Sequence, residues 1–446
     1  MKKPKNPFPA LKRAFSRLYD RATGYVRGVG RQTDEILASE PIDFSAPSIP
    51  YYENLAARLS FAKVVLYMVL LVFVVVTVIS NHKLITYENL YYLAKDIGAA
   101  SQTAKAHADS LSYPISSEGA DFALYRGGLV ISGSEVVTAM SASGRQTLSV
   151  NVAYADPCAR ASDKYCLSFG RGEKSFSVYN AFVQVHTETT DFPVYDAAVG
   201  ENGNFAIVTR SRDYKSEVVL YDSNMEKLAN YRLGGYVTGI SMNPSGDRLG
   251  VVSAEYENGI WVTKVTVIRI GNRISQSSAT VTGALGSTCG FVTEDRFAVV
   301  FTDRVMVVNS DATVTGEKFF ENAIPTLAAI GRGSVALLTE SQSDLTRATL
   351  TVYDRNARES YSLSLDTDHP ITKAGNPTAL AIADNALFLH AGNTLFRLTG
   401  NGSTVTAATV SHDTLAILPE SSDEVMVCTP AYAYRLTTED FARPNS

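Results

Sequence analysis

Asn243-Pro244-Ser245-Gly246-Asp247 runs directly into Arg248-Leu249-Gly250-Val251-Val252, a polar turn followed by an apolar run. Pro244 fixes φ for a tight turn and Gly246 takes its left-handed position. A short apolar strand follows at once. A second strand lies at 260–270, IWVTKVTVIRI, with alternating apolar and polar residues. That alternation is the mark of a half-buried strand. One turn and two strands make a unit too small to bury its own faces.

The unit returns along the chain. Related apolar runs begin at Gly128, Lys164, Asn204, Arg248, Arg296, Ser334, Asn385 and Glu424, spaced 36 to 51 residues apart. The third unit repeats the scheme closely, with the turn Gly200-Glu201-Asn202-Gly203 and the strand Glu217-Val218-Val219-Leu220-Tyr221-Asp222. The sixth has the turn Gly331-Arg332-Gly333 and ends in Leu350-Thr351-Val352-Tyr353-Asp354. Each repeated run reads as the inner strand of its unit. Several strands per unit at this period predict propeller blades, stacked so that each sheet covers its neighbour. The expected fold is therefore all-β, a seven- or eight-bladed β-propeller. A β-sandwich pair is the competing architecture. The last unit lacks an outer strand, because the polar TTEDFARPNS ends the sequence. A segment near Ile115 or Phe122 is expected to complete that blade and lock the ring.

Ahead of the repeats the chemistry changes. Residues 64–79, VVLYMVLLVFVVVTVI, carry no charge, and extension to 61–80 gives twenty residues. As a helix that is about 30 Å, the thickness of a hydrocarbon core. Charge is unevenly placed around this run: residues 1–60 hold ten Lys/Arg and six Asp/Glu, and the formal net charge of the whole chain is −5. The positive-inside rule then puts the N-terminus in the cytoplasm and residues 81–446 outside, with the apolar run as an uncleaved signal anchor.

Four segments follow from this reading: a basic cytoplasmic tail at 1–60, a transmembrane helix at 61–80, a stalk at 81–114 with a short helix over 86–102, and an extracytoplasmic propeller at 115–446. In the tail, Phe8, Leu11, Phe15, Leu18, Ala22 and Tyr25 form one helical stripe, while Lys12, Arg13, Arg17 and Arg21 lie on other faces. A cationic amphipathic helix of this kind meets an anionic bilayer surface. The alternative is a solvated tail that only enforces topology. Residues 40–50, EPIDFSAPSIP, read as an extended linker. No nucleic-acid motif accompanies the basic run.

The chemistry-bearing residues are sparse. The six histidines, at 82, 107, 186, 369, 390 and 412, show no metal-ligand spacing. Asp366, Asp368 and His369 form the densest cluster and read as a solvated loop before Pro370. No nucleophile elbow or phosphate loop occurs. Cys158 and Cys166 flank a hairpin turn, and two alternatives stand: a cross-strand disulfide or two buried thiols. Cys289 and Cys428 read as core, and Trp261 as packing between blades. No catalytic, cofactor or metal residue is assigned.

The blade pattern resembles WD-repeat-like and PQQ-enzyme-like propellers. More closely, Glu88-Asn89-Leu90-Tyr91-Tyr92-Leu93, Tyr125-Arg126-Gly127-Gly128-Leu129-Val130, residues 196–210 and residues 243–260 resemble an uncharacterised family of single-pass membrane propeller proteins of Gram-positive anaerobic bacteria. The resemblance implies a topology and a location at the cell membrane, with no reaction attached. The Trp-Asp that closes WD blades and the quinone-binding blade signature are both missing, so no cofactor is carried over. The expected role is a membrane-tethered binding or scaffold module for an envelope protein, a wall polysaccharide or a small ligand. The alternative is an extracytoplasmic hydrolase or lyase with a site assembled from several blades, since propeller enzymes gather residues distant in sequence.

Overall fold

The computed structural model describes residues 49–80, 112–115, 119–162, 164–271, 273–344 and 347–442. The chain divides into two compact units, 1–87 and 88–446. The described part of the first is a helix, α1 (Ile49–Ser80), of 32 residues. Pro50 stands in its first turn, where a missing N–H leaves no bond unmade. The apolar run expected to span the bilayer lies wholly inside α1, which starts twelve residues before that run's expected boundary at 61. Its described side chains at 62–73, 75 and 76 are all exposed. Among the described residues no helix is long and apolar enough to cross a membrane. The tail residues Lys12, Arg13, Arg17 and Arg21, most of the 40–50 linker and the 86–102 stalk helix lie outside the described residues.

The second unit is an eight-bladed β-propeller of eight four-stranded antiparallel sheets. Blades 1 to 7 occupy 121–151, 157–189, 194–233, 236–282, 286–319, 323–365 and 377–409. Blade 8 takes three strands from 416–437 and its fourth from β1 (Ser112–Pro114), which pairs with Tyr432–Thr437. This is the closing strand anticipated beside Ile115, and it lies in the segment read as stalk. The ring therefore begins before residue 115. Tyr113 within β1 is fully buried against Leu129 and Met426, and Ile115 N–H donates to the carbonyl of Ala431 at 3.0 Å. Each innermost strand touches the next around the axis, and the last touches the first.

The repeated runs of the sequence are the second strands of the eight blades, not the innermost ones. Gly128–Ser132, Phe205–Thr209 and Ala386–Ala391 are buried at every position. A strand covered on both faces reads as a continuous apolar run, which is why these stood out. The strands at 216–221, 260–269 and 348–354 are third strands. Fourth strands face water on the rim: Gln184–Thr189 and Glu359–Leu365 alternate in exposure.

Packing between blades holds the ring. Phe205 and Tyr221 are register partners in blade 3 and stack at 4.6 Å, while Phe176 of blade 2 meets Tyr221 edge-on at 5.7 Å. Each such aromatic contact adds about 0.5–1.5 kcal/mol beyond the area it buries. Between blades 4 and 5 the fit depends on an absent side chain: a Cβ on Gly250 would fall 2.3 Å from the ring of Phe297.

Candidate axial binding site

Where eight innermost strands converge, bulky residues cannot all point at one another. These strands accordingly carry small residues at the tightest places. A Cβ on Gly239 would lie 2.7 Å from Sγ of Cys289, and one on Gly290 would lie 3.1 Å from Ile330. What remains at one end of the axis is a cavity of about 500 Å³, within the range of small-molecule sites. It is lined from blades 1 to 6, with Leu124, Val199, Met242, Phe291 and Ile330 as its large apolar groups. Ser162, Ser241, Thr288 and Asn243 add neutral polar groups.

The rim of the cavity is set by the turns that join first to second strands. Asn243 is fully buried in one of them. Its Oδ1 accepts from the N–H of Arg248 at 2.9 Å, and its Nδ2 lies 2.9 Å from Oε2 of Glu294 in the next blade. Asn202 Nδ2 donates to the carbonyl of Gly246 at 3.1 Å, joining blade 3 to blade 4. Gly246 has φ +68°, as its place in the Pro-Ser-Gly turn requires. Arg397 Nε and Arg435 Nη2 donate to the carbonyls of Ser422 and Gly127 at 2.8 and 2.7 Å. These bonds fix the turns from blade to blade.

One contact runs across the ring rather than along it. Arg332 Nη2, from the blade 6 turn, lies 3.0 Å from Oε1 of Glu201 in the blade 3 turn. Two blades intervene, and their turn and strand residues Asn243, Pro244, Cys289 and Phe291 line the cavity. The pair is therefore a chord over the cavity mouth. Glu201 is itself a lining residue, and its side chain is 41% exposed against 74% for Arg332.

Further charge lies along the inner strands of blades 1 to 3. Arg160 reaches Asp196 at 2.8 Å on one side and Asp121 at 3.3 Å on the other. Burial opposes the charge of Arg160, but the two carboxylates outweigh it and hold its pKa above the ordinary arginine value. The Cys289 thiol is pushed up to about 12 by burial and then by Asp196. It stays protonated near neutrality and supplies no thiolate to the cavity.

The residues singled out in the sequence fall elsewhere. Cys158 and Cys166 do sit on adjacent strands of blade 2, but the register pairs Cys158 with Phe169 and Cys166 with Ala161. An offset of three puts the two sulfurs on opposite faces of the sheet. Cys158 packs toward Val194 and Phe205, Cys166 toward Tyr125 and Val130. Both are free, so of the two alternatives the structure has the buried thiols. Asp366, Asp368 and His369 hold no metal-like geometry; no such cluster occurs among the described residues. His369 instead caps the short helix α2 (Pro370–Ala374), its Nδ1 accepting from the N–H of Ile371 at 3.3 Å. Trp261 does not pack between blades. It is 42% exposed near the tip of the 248–269 hairpin, edge-on to Tyr256 at 5.2 Å.

Glu201 and Arg332 were visible in the sequence only as turn residues. The available signal is that each follows a glycine, Gly200 or Gly331, at the same place in its blade, with opposite charge. Nothing in a linear reading says that the turns of blades 3 and 6 meet.

Ring, strap and cavity together define a single-chain eight-bladed propeller with an axial pocket at one end. The chain belongs to a family of unknown function, DUF5711, whose model matches residues 105–435, from just before the closing strand to the last strand of blade 8. Among curated proteins none matches this chain. It is similar in structure to apo AztD from Citrobacter koseri, at 12% identity over 66% of this chain and 86% of that one, with a TM-score of 0.48. It is similar to BamB from Moraxella catarrhalis, at 7% identity over 73% and 98%, with a TM-score of 0.47. The β-propeller domain of Cps50 (Swd1) from Myceliophteria thermophila aligns at 12% identity over 68% and 100%, with a TM-score of 0.42. At these identities the likeness concerns the fold alone.

Proposed function

We propose that this protein is a membrane-tethered binding module whose axial cavity holds a small ligand outside the cytoplasm. The cavity carries the reading: about 500 Å³ with a mixed polar and apolar lining, walled by six blades and bordered by fixed turns. Propellers present rigid walls on which such sites are built, and a preformed site loses little ordering entropy on binding. An envelope protein or a wall polymer would meet the outer rim instead, and the cavity favours the small ligand over both.

The tether is supported by α1, which is helical from Ile49 to Ser80 and contains the charge-free run 64–79. The outward orientation is supported by the basic excess before that run. Lys12, Arg13, Arg17 and Arg21 are proposed to rest on the cytoplasmic leaflet.

Two measurements test this. The full chain should resist alkaline extraction from membranes, and protease added to intact cells should degrade the propeller. Ligand-observed NMR with a fragment library should give binders to the full chain that Ile330→Trp, which fills the cavity, no longer binds. Binders unaffected by that substitution would place the site elsewhere. A propeller protected in intact cells and cleaved only after lysis would invert the topology.

A further inference from the structure

We infer that the axial cavity takes a small cation, an aliphatic ammonium or guanidinium, whose charge replaces the Arg332 guanidinium at Glu201. This rests on reading the cavity as a ligand site and adds the ligand's chemistry.

Three observations lead there. First, among the described lining residues Glu201 is the one charged group, set at the edge of a wall of Leu124, Val199, Met242, Phe291 and Ile330. A ligand that matches this lining carries one positive charge, with neutral polar and apolar groups beside it. Second, the strap is asymmetric. Arg332 is 74% exposed and Glu201 41%. Released from the pair, Arg332 swings into water, where a guanidinium is well solvated. Glu201 remains part of the lining. A cation therefore exchanges one partner of Glu201 for another, whereas an anion would have to sit beside an unpaired carboxylate. Breaking an exposed pair costs little, of order 0–1 kcal/mol. Third, the inner strands of blades 1 to 3 carry two carboxylates, Asp121 and Asp196, against the single guanidinium of Arg160. Asp196, on the inner strand of blade 3, acts on Cys289 inside the lining and raises its thiol pKa. The Arg160 charge between Asp121 and Asp196 is committed to those two carboxylates.

Arg332 is thus an internal occupant of the cation position. An arginine from the chain's own turn closes the mouth when no ligand is present. The same chemistry arrives in two forms, a free amine or the lysine or arginine side chain of a protein partner.

The test uses the full chain in nanodiscs and calorimetric titration with three probes of one length: hexylammonium, hexanol and hexanoate. Hexylammonium should bind about two- to fivefold tighter than hexanol, the scale of one part-exposed ion pair. Arg332→Ala should tighten hexylammonium about two- to fivefold by removing its competitor. Glu201→Gln should erase the preference over hexanol. A residue that only shapes the mouth would not move the two variants in opposite directions. Acetyl-Leu-Lys-Leu-amide and its norleucine analogue separate the sources: peptide binding that needs the lysine points to a protein partner, and binding of the free amine alone to a metabolite. Equal affinity for hexanol and hexylammonium, or preference for hexanoate, would overturn the charge assignment while leaving the cavity reading intact. If no probe or peptide binds, and the fragment library also yields nothing that Ile330→Trp removes, both readings fall.

Discussion

Arg332 of blade 6 and Glu201 of blade 3 meet at 3.0 Å across the mouth of the axial cavity, joining two turns that no backbone hydrogen bond connects. The pair is too exposed to stabilise the fold appreciably. Arg332→Ala should shift unfolding free energy by less than about 1 kcal/mol in chemical denaturation. A loss of several kcal/mol would mean that the chord is structural.

Ring closure depends on β1. Tyr113→Ala removes a fully buried aromatic side chain between blades 8 and 1, together with its hydroxyl bond to the carbonyl of Ala142 at 3.3 Å. The expected cost is about 3–5 kcal/mol, read as a lowered denaturation midpoint. Little change would show that the ring closes without this strand.

How much of this was legible in the residues depended on burial. The second strands announced the repeat because both faces are covered, as in Phe205–Thr209. The innermost strands did not, because convergence at the axis demands Gly239, Gly286 and Gly290, which break any apolar pattern. Blade number stayed open between seven and eight because the eighth sheet borrows Ser112–Pro114 from far away in sequence. Trp261 was misread because a lone tryptophan amid strands looks like core, while the 248–269 hairpin carries it toward solvent. The cavity was invisible: Leu124 and Ile330 approach a common space only once the ring is closed.

The cysteines should behave as four unreactive thiols. Burial raises Cys158, and pushes Cys166, Cys289 and Cys428 up to about 12. Thiolate fractions at pH 8 are then minute, so an aromatic disulfide reagent should react slowly with the native chain. In guanidinium without reductant it should count all four thiols. A count of two would indicate a disulfide that the blade 2 register forbids.

Acid should weaken the propeller through its buried imidazole. Burial pushes His390 below its ordinary value of 6.5, and its Nδ1 lies 2.7 Å from Oγ1 of Thr378. Below 6.5 the unfolded chain therefore binds a proton that the native chain refuses. Stability is full above that value and falls as pH drops toward the folded pKa. His369 is lowered by burial in the same direction. Denaturation midpoints should decline between about pH 7 and 5, and His390→Gln should flatten that slope. An unchanged slope in the variant would assign the acid sensitivity to other groups.

A closed ring with a pocket at its axis should hold something there. Native mass spectrometry of the full chain, purified gently from its own cells, decides whether it does. A non-covalent small-molecule adduct is expected on the wild-type chain and absent from Ile330→Trp. An adduct of equal abundance on both, or none on either, would contradict it.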